Sequence, residues 1–305
     1  MLNSKKYFTF VLIVLLVLTF GNLALADNAL VLQSDFGLKD GAVSAMKGVA
    51  YGVDDDLDIY DVTHKITPFD IWEGAYRLNQ TADYWPEGTV FVSVVDPGVG
   101  TDRESIVLKS KNGQYFVTPD NGTVTLIADN MGIEDVRIID ESKHRLEGSE
   151  ASHTFHGRDV YAYTGAKLAS GKITFEEVGP KLEKDIVKLD YQKAKREGNI
   201  VRGTIPILDI QYGNVWTNIP KKMFDKLNPE YGDMFKVEIY NEEELVYEEN
   251  VPFVSSFGGV EKGEPLLYLN SLLNLSIALN WDNFAETYGV DSGPNWKFIA
   301  EKIEE

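Results

Sequence analysis

The chain has 305 residues, contains no cysteine and carries a formal net charge of −19. The lack of cysteine excludes disulfides, thiolate nucleophiles, and zinc or iron–sulfur centres held by cysteine. So acidic a surface repels phosphate backbones, which argues against nucleic acid as a partner. The length is sufficient for one large domain or two ordinary ones with a sizeable core.

The first 26 residues are predicted to be a signal peptide rather than part of the fold. Lys5 and Lys6 precede an apolar run, Tyr7 to Phe20, that is short for a membrane span, and Ala24-Leu25-Ala26 offers a small-x-small cleavage site. We therefore expect export to the periplasm, the cell surface or the medium, without stable membrane insertion after cleavage. An uncleaved N-terminal anchor is the alternative.

Residues 27–190 are predicted to form an α/β domain with a mainly parallel sheet, because strand-like and helix-like segments alternate along the first part of this region. Asn112-Gly113 then separates two strands in a hairpin-like position. The predicted strands are Ala29–Gln33, Leu57–Val62, Val90–Val95, Ser105–Lys109, Tyr115–Val117 and Val136–Ile139, and the predicted helices are Ala42–Val53, Ile71–Tyr84 and Val160–Leu168.

Residues 198–305 are predicted to form a second, smaller domain of mostly antiparallel strands, namely a small β-barrel. The charged segment 181–197 before it has little apolar periodicity and is predicted to be a surface linker. The predicted strands are Val201–Ile210, Phe235–Tyr240, Glu244–Glu248, Pro265–Asn270 and Leu275–Leu279, with short helices near Lys221–Leu227 and Asn283–Tyr288.

Acidic residues recur where predicted strands end, and one of these positions has a distinctive sequence. The strand through Val95 stops at Asp96-Pro97-Gly98-Val99-Gly100, and Arg103 follows shortly after. Proline and glycine break the strand and let the backbone approach a ligand closely, and open α/β sheets bind ligands at this edge. A plain turn with a solvated arginine explains the stretch about equally well. The strand-end acids are Asp35, Asp61, Asp96, Asp120 and Asp209.

Six motifs, taken together and in order, resemble the S-adenosylmethionine hydroxide adenosyltransferase family, whose relatives include the fluorinases and chlorinases. They span essentially the whole chain after the leader, and the set is far more specific than any one motif. The motifs are Ser34-Asp35-Phe36-Gly37, Asp61-Val62-Thr63-His64, Val94-Val95-Asp96-Pro97-Gly98-Val99-Gly100-Thr101-x-Arg103, Pro119-Asp120-Asn121-Gly122, Thr154-Phe155-His156-Gly157-Arg158-Asp159 and Tyr212-Gly213-Asn214-x-Trp216-Thr217-Asn218-Ile219.

The resemblance implies an α/β domain followed by a β-barrel domain, and a homotrimer that binds S-adenosylmethionine between neighbouring subunits. It implies attack of water or hydroxide on the ribose 5′ carbon, which releases methionine and leaves adenosine, without a metal or organic cofactor. The catalytic residues it implies are Asp96, Arg103 and His156. Halogenating relatives have tyrosine at the position of Asp96 and do not keep His156, so the resemblance favours hydrolysis.

The resemblance also assigns substrate contacts. Asp35 is expected to bind the ribose hydroxyls, and Asp209 and Asn214 the amino-acid end. Tyr212 and Phe257 are expected to sandwich the adenine, of which Phe257 is the weaker alignment. Further expected contacts are Phe69 and Trp216 as walls of the pocket, and backbone groups near 276–279 at the adenine edge.

The chemistry needs help only for the nucleophile, since the leaving group is a neutral thioether. Water has a pKa of about 15.7, whereas ordinary histidine and aspartate side chains have pKa values near ~6.5 and ~3.9. Neither can take the proton in advance, so we expect the three residues to position and polarise water. Two alternatives remain open: an exported nucleoside-binding protein without turnover, and a metal-dependent hydrolase that uses His153 and His156.

Overall fold

A computed structural model describes residues 29–304 of the chain. The predicted signal peptide, residues 1–26, lies outside the described residues. Among the residues that are described, no helix is both long and apolar enough to cross a membrane.

A six-stranded sheet organises the first half of the chain, in the order β2-β1-β3-β5-β4-β6. β1 pairs in parallel with β2 and β3, and β3 pairs in parallel with β5, whereas β4 is antiparallel to β5 and β6. The predicted mainly parallel sheet and its hairpin are therefore confirmed. The strands are β1 (Leu30–Ser34), β2 (Ile59–Thr63), β3 (Val90–Val94), β4 (Ser105–Ser110), β5 (Tyr115–Pro119) and β6 (Ile133–Ile138).

Helices cover both faces of this sheet, and each face has its own apolar core. The first predicted helix has the expected bounds, and the second begins where Asp70 Oδ1 accepts a hydrogen bond from Glu73 N (2.9 Å), an N-cap that satisfies an orphan donor. The third predicted helix begins earlier than expected, as a π-helix. The helices are α1 (Ala42–Val53), α2 (Ile71–Ala82), α3 (Thr125–Asn130), α4 (Glu141–His144), the π-helix Gly157–Ala162, α5 (Tyr163–Ala169) and the 3₁₀ turn Glu176–Val178.

Two antiparallel sheets with a common core make up the second half of the chain. One has the order β13-β14-β10-β9 and the other β12-β11-β15-β8-β7. The antiparallel character is confirmed, and the barrel is not. The elements are β7 (Lys195–Glu197), β8 (Ile200–Ile205), β9 (Ile207–Asp209), β10 (Asn214–Pro220), α6 (Lys221–Phe224), the 3₁₀ turn Asp225–Leu227, β11 (Met234–Asn241), β12 (Glu244–Pro252), the 3₁₀ turn Phe257–Gly259, β13 (Pro265–Leu269), β14 (Asn274–Leu279), α7 (Phe284–Tyr288) and β15 (Gly293–Lys302).

The segment between the two halves differs from the predicted surface linker. Leu182 and Ile186 are buried in the core of the first half, and Val187 N donates to Asp120 Oδ1 at 2.8 Å. The prediction was wrong here because a few apolar residues, spaced along a charged segment, are sufficient to hold it against the sheet. The halves also contact each other directly, since Trp72 Nε1 donates to the carbonyl of Pro206 at 2.8 Å.

Candidate active site

The turn after β3 lies at the carboxyl end of a strand that has β1 and β5 as neighbours. It is closed by backbone hydrogen bonds from Val99 N to Asp96 O and from Thr101 N to Gly98 O. Gly100 has φ +77°, and a Cβ at that position would lie 2.7 Å from the carbonyl oxygen of His153. Only glycine fits there, and the turn therefore packs closely against the segment that carries His156.

Asp96 and Arg103 form a bidentate ion pair across this turn. Arg103 Nε donates to Asp96 Oδ1 at 2.6 Å, and Arg103 Nη2 donates to Asp96 Oδ2. The Asp96 side chain is only 5% exposed and that of Arg103 only 11%. A turn with a solvated arginine does not match this burial. The paired geometry fixes the orientation of both groups more strictly than a single contact would.

His156 completes the group from a different part of the chain. It is buried, and its Nδ1 lies 3.5 Å from Arg103 Nη2. The next residue, Gly157, opens the π-helix and packs so closely that a Cβ there would lie 3.0 Å from the ring of Phe36. π-Helical turns are rare and frequent at functional sites. The structure thus brings together the three residues for which the sequence predicted catalytic roles.

The surroundings of His156 favour its neutral form. Burial lowers the pKa of His156, and the positive charges of Arg145 and Arg103 lower it further, against the opposing effect of Glu141 and Asp96. For Arg103, burial acts to lower the pKa, but Tyr161 and Asp96 outweigh it and raise the pKa overall. A neutral imidazole therefore lies beside a permanently charged guanidinium.

Asp35 immediately follows the last residue of the neighbouring strand β1. Its Oδ2 accepts a hydrogen bond from Phe69 N at 2.9 Å, so the two predicted substrate contacts are adjacent. Phe69 has φ +70°, and the residue is 71% exposed. Phenylalanine rarely adopts this backbone conformation, and such strain is typical of residues at ligand sites.

A buried chain of hydrogen bonds supports the turn that carries Asp35. Ser34 Oγ lies 2.7 Å from His64 Nδ1, and His64 Nε2 lies 3.1 Å from Asp61 Oδ1. The order serine–histidine–aspartate is that of a nucleophile triad. Ser34, however, is fully buried, and its oxygen accepts a hydrogen bond from Phe36 N. This network therefore positions the turn.

The remaining predicted substrate contacts meet in the second half of the chain. They line one cavity of about 770 Å³, in which Asn214 Nδ2 donates to Asp209 Oδ2 at 3.2 Å. Tyr212 is 65% exposed and Phe257 38% exposed. Trp281, whose side chain was not predicted, is 81% exposed on the same cavity. The predicted lining residues are Asp209, Tyr212, Asn214, Trp216 and Phe257, together with Leu279 from the segment predicted to lie at the adenine edge.

The predicted site residues therefore lie in two separate groups on one chain, each of which is named a half-site. Within residues 29–304, the lining of the 770 Å³ cavity does not include Asp35, Asp96, Arg103 or His156. The polar half-site consists of Asp35 after β1 and of Asp96, Arg103 and His156 at the end of β3. The aromatic half-site is the 770 Å³ cavity with its aromatic and amide side chains.

The predicted alternative of a metal site at His153 and His156 finds no support in this geometry. His153 is exposed, whereas both ring nitrogens of the buried His156 face guanidinium groups, which repel a metal cation. In the described part of the chain, one group of at least three ligating side chains is close enough to share an ion, Asp54, Asp55 and Asp56 after α1. It lies outside both half-sites.

Comparison with known proteins places the chain in a family. The model of the SAM hydroxide adenosyltransferase N-terminal domain matches residues 30–179, and that of the C-terminal domain matches residues 203–297. The chain belongs to the SAM hydroxide adenosyltransferase family.

Relatives in this family carry two kinds of name. A protein of Methanocaldococcus jannaschii named (R)-S-adenosyl-L-methionine hydrolase is 36% identical over 87% of this chain and 93% of its own. A fluorinase of Actinoplanes is 28% identical over 86% of this chain and 94% of its own. The crystal structure of an uncharacterized conserved protein from Thermotoga maritima superposes with a TM-score of 0.81 at 34% identity, over 88% of this chain and 99% of that one.

Two residues of the site in this family member were missed by the sequence predictions. Arg145 Nη2 lies 3.1 Å from His156 Nε2, and the same atom donates to Glu141 Oε2. In the sequence, Glu141 and Arg145 are four residues apart. That spacing predicts only an ordinary ion pair, of the kind that many exposed helices carry. Contact with His156 depends on tertiary packing, which no local pattern encodes.

We expect the stability of the protein to fall as the pH falls below neutrality. Burial lowers the pKa values of His64, His144 and His156 in the folded state, whereas in the unfolded chain histidine has a pKa of about 6.5. The unfolded state therefore binds more protons below that pH, and the free energy of unfolding decreases as the pH falls from about 6.5 towards the folded pKa values. Urea unfolding at a series of pH values between 7.5 and 5.5 measures this.

Asp129, whose pKa is lowered to about 2, does not affect this measurement, because its contribution to stability is lost only as the pH falls below about 5. The His144→Asn variant should show a smaller pH slope than the parent. A free energy of unfolding that stays constant or rises on acidification would contradict the prediction.

Proposed function

We propose that the protein hydrolyses S-adenosyl-L-methionine to adenosine and L-methionine, by in-line attack of water or hydroxide on the ribose 5′ carbon. The observation that carries the proposal is the buried group of Asp96, Arg103 and His156 at the end of β3. The resemblance implies that halogenating relatives have tyrosine at the position of Asp96 and do not keep His156. This chain has both residues, which favours hydrolysis. The hydrolase names of several relatives support the same choice.

The geometry suits positioning of the nucleophile better than removal of its proton. Both carboxylate oxygens of Asp96 already accept hydrogen bonds from Arg103, so the ion pair holds the carboxylate in one position. General base assistance is typically worth about 10²–10⁴-fold, whereas alignment of the reacting atoms can supply roughly 7–11 kcal/mol. Since 10²–10⁴-fold corresponds to only about 3–5.5 kcal/mol, alignment is the larger contribution.

We propose that the complete site forms between neighbouring subunits of a homotrimer. The polar half-site of one subunit would bind the ribose and the nucleophile, through Asp35 and the three buried residues. The cavity of the next subunit would bind adenine between aromatic rings and the amino-acid end through Asp209 and Asn214. The exposed rings of Phe69, Tyr212 and Trp281 support this arrangement, since large apolar surfaces at a site mark a contact with a ligand or partner. No metal or organic cofactor is proposed.

The test is incubation of the purified protein with each epimer of S-adenosylmethionine at the sulfonium centre, followed by chromatography for adenosine and methionine. The two products are expected in equal amounts, and chelator should leave the rate unchanged. Tight nucleoside binding without product would instead favour the nucleoside-binding alternative. Loss of activity with chelator would favour the metal-dependent hydrolase.

We also propose that residues 27–190 and 198–305 form the two domains, and that the leader at 1–26 directs export. S-adenosylmethionine is expected mainly inside cells, so an exported enzyme would act on scavenged or leaked substrate. Mass spectrometry of the protein recovered from cell fractions tests cleavage after Ala26 and the compartment together.

A further inference from the structure

The imidazole of His156 lies between two guanidinium groups. Arg145 Nη2 is 3.1 Å from Nε2, and Arg103 Nη2 is 3.5 Å from Nδ1. A guanidinium carries only hydrogen-bond donors, whereas a neutral imidazole has one donor nitrogen and one acceptor nitrogen. The two arginines therefore compete for a single lone pair.

The distances decide which nitrogen accepts. A hydrogen on Nε2 would point at the N–H groups of Arg145 across 3.1 Å, whereas a hydrogen on Nδ1 faces Arg103 across the longer 3.5 Å contact. The repulsion is smaller in the second case, and the shorter contact then becomes a charge-assisted hydrogen bond. A doubly protonated ring between two cations is disfavoured further, in line with the lowered pKa of His156.

We propose that Arg145 is a positioning residue that holds His156 as the neutral tautomer with its hydrogen on Nδ1. Glu141 fixes Arg145 in turn, because Nη2 has two hydrogens and directs one to Glu141 Oε2 and the other to His156.

The consequence for catalysis rests on the proposed function. With its lone pair directed at Arg145, His156 cannot take a proton from the nucleophile. Its Nδ1–H and the Nη2 of Arg103 instead offer two neighbouring donors to one oxygen, which favours hydroxide taken from solvent, whose proton has already gone to bulk water. As hydroxide forms its bond to the ribose 5′ carbon, the bond from that carbon to sulfur breaks and its electron pair leaves with methionine. His156 is thereby a hydrogen-bond donor to the nucleophile rather than its base.

Every charged or titratable group that faces His156 enters this balance. Asp96 and Arg103 face it from the turn after β3, and Glu141 and Arg145 from α4 and the residue that follows α4. Tyr161 packs edge-on from the π-helix, with 6.5 Å between the ring centroids.

A purely structural role for Arg145 has to be distinguished from this one, because Arg145 Nη1 also donates to the carbonyl of Ser152 at 3.3 Å. The experiment is therefore ¹⁵N NMR of the imidazole nitrogens, with the His156 signals assigned by their loss in His156→Asn. The parent protein should show Nδ1 protonated and Nε2 unprotonated at neutral pH. In Arg145→Gln the ring should move towards the form with hydrogen on Nε2, which free histidine prefers.

Activity supplies a second readout. We expect Arg145→Gln to lower kcat by about tenfold with little change in KM, the effect of losing one charge-assisted hydrogen bond, and Arg145→Lys to retain more activity. The matched control is Arg77→Gln, since Arg77 pairs with Glu73 four residues earlier on α2, away from His156. That variant should change neither the tautomer nor kcat.

A hydrogen on Nε2 of His156 in the parent protein would overturn the proposal, as would an unchanged tautomer in Arg145→Gln. Urea unfolding of Arg145→Gln separates a loss of fold from a change of tautomer, and Arg145→Lys gives a second variant if the first fails to fold. If the protein proves inactive on S-adenosylmethionine, the tautomer still decides the role of Arg145, so the two proposals fail separately.

Discussion

Asp96→Asn is expected to lower kcat by at least about 10²-fold, while KM for S-adenosylmethionine changes little. The isosteric amide keeps one acceptor oxygen but replaces the other with a donor, so the second hydrogen bond from Arg103 becomes a repulsion between two N–H groups. Arg103 then loses its fixed position beside His156, and the nucleophile loses its alignment. Steady-state kinetics of the purified variant measure both parameters.

The control for this variant is Asp102→Asn, an equal change of charge in the same turn at an exposed position. It should leave both kcat and KM near the parent values. Thermal unfolding of the two variants tests whether the fold survives. A rise in KM as large as the fall in kcat would contradict the positioning role, because it would mean that Asp96 mainly binds the substrate.

Two inactive variants are expected to restore activity when they assemble together, if the site lies between subunits. Asp96→Ala removes the polar half-site and Asn214→Ala damages the aromatic half-site. In a trimer mixed at random from equal amounts, roughly a quarter of the sites combine an intact polar half with an intact neighbouring cavity. Each variant alone should have almost no activity, and the mixture, unfolded and refolded together, should recover a corresponding fraction of the parent rate.

The mixture of Asp96→Ala with His156→Ala is the matched control. Both changes lie in the polar half-site, so every subunit of a mixed trimer has a damaged polar half-site. No activity should therefore return. Recovery in this control, or none in the first mixture despite mixed trimers in native mass spectrometry, would argue against a site shared between subunits.

Much of the fold could be predicted because local pattern and tertiary environment agree in the first half of the chain. The helix Ala42–Val53 has the predicted bounds, and the apolar run from Val90 is buried along its whole length in the middle of the sheet. The hairpin around Asn112-Gly113 pairs β4 with β5 as expected. Right-handed crossovers limit the orders that the parallel strands of such a sheet can adopt.

The differences arise where a single residue or a distant contact overrides the pattern. Pro206 has no N–H, so it divides the predicted strand Val201–Ile210 into β8 and β9. The strands β10 and β15 were missed, although buried and less buried residues alternate along much of both. The start of the third helix is a π-helix that depends on close packing of Gly157 against Phe36, which the sequence does not display locally.

The candidate site was likewise predictable where local motifs carry the information, and not where distant contacts do. Motif residues can be read directly, and the structure groups them at two places on the chain. Arg145 belongs to no motif used for the prediction, and its role depends on a contact with His156 eleven residues later. Trp281 is similar, since a lone exposed tryptophan has no local signature that separates a ligand wall from an ordinary surface residue.

The burial of Asp96 and His156, only 5% and 6% exposed, bears on the speed of a reaction in which opposite charges cancel. Hydroxide and a sulfonium ion carry full charges before they meet, and their charges are partly neutralised in the transition state. Water solvates the separated ions and so retards their combination, whereas a buried site that excludes bulk water removes this solvation. The same neutralisation of charge favours release of the products. Methionine and adenosine leave without the sulfonium charge, so any attraction between the acidic protein and the cationic substrate is lost as the products form.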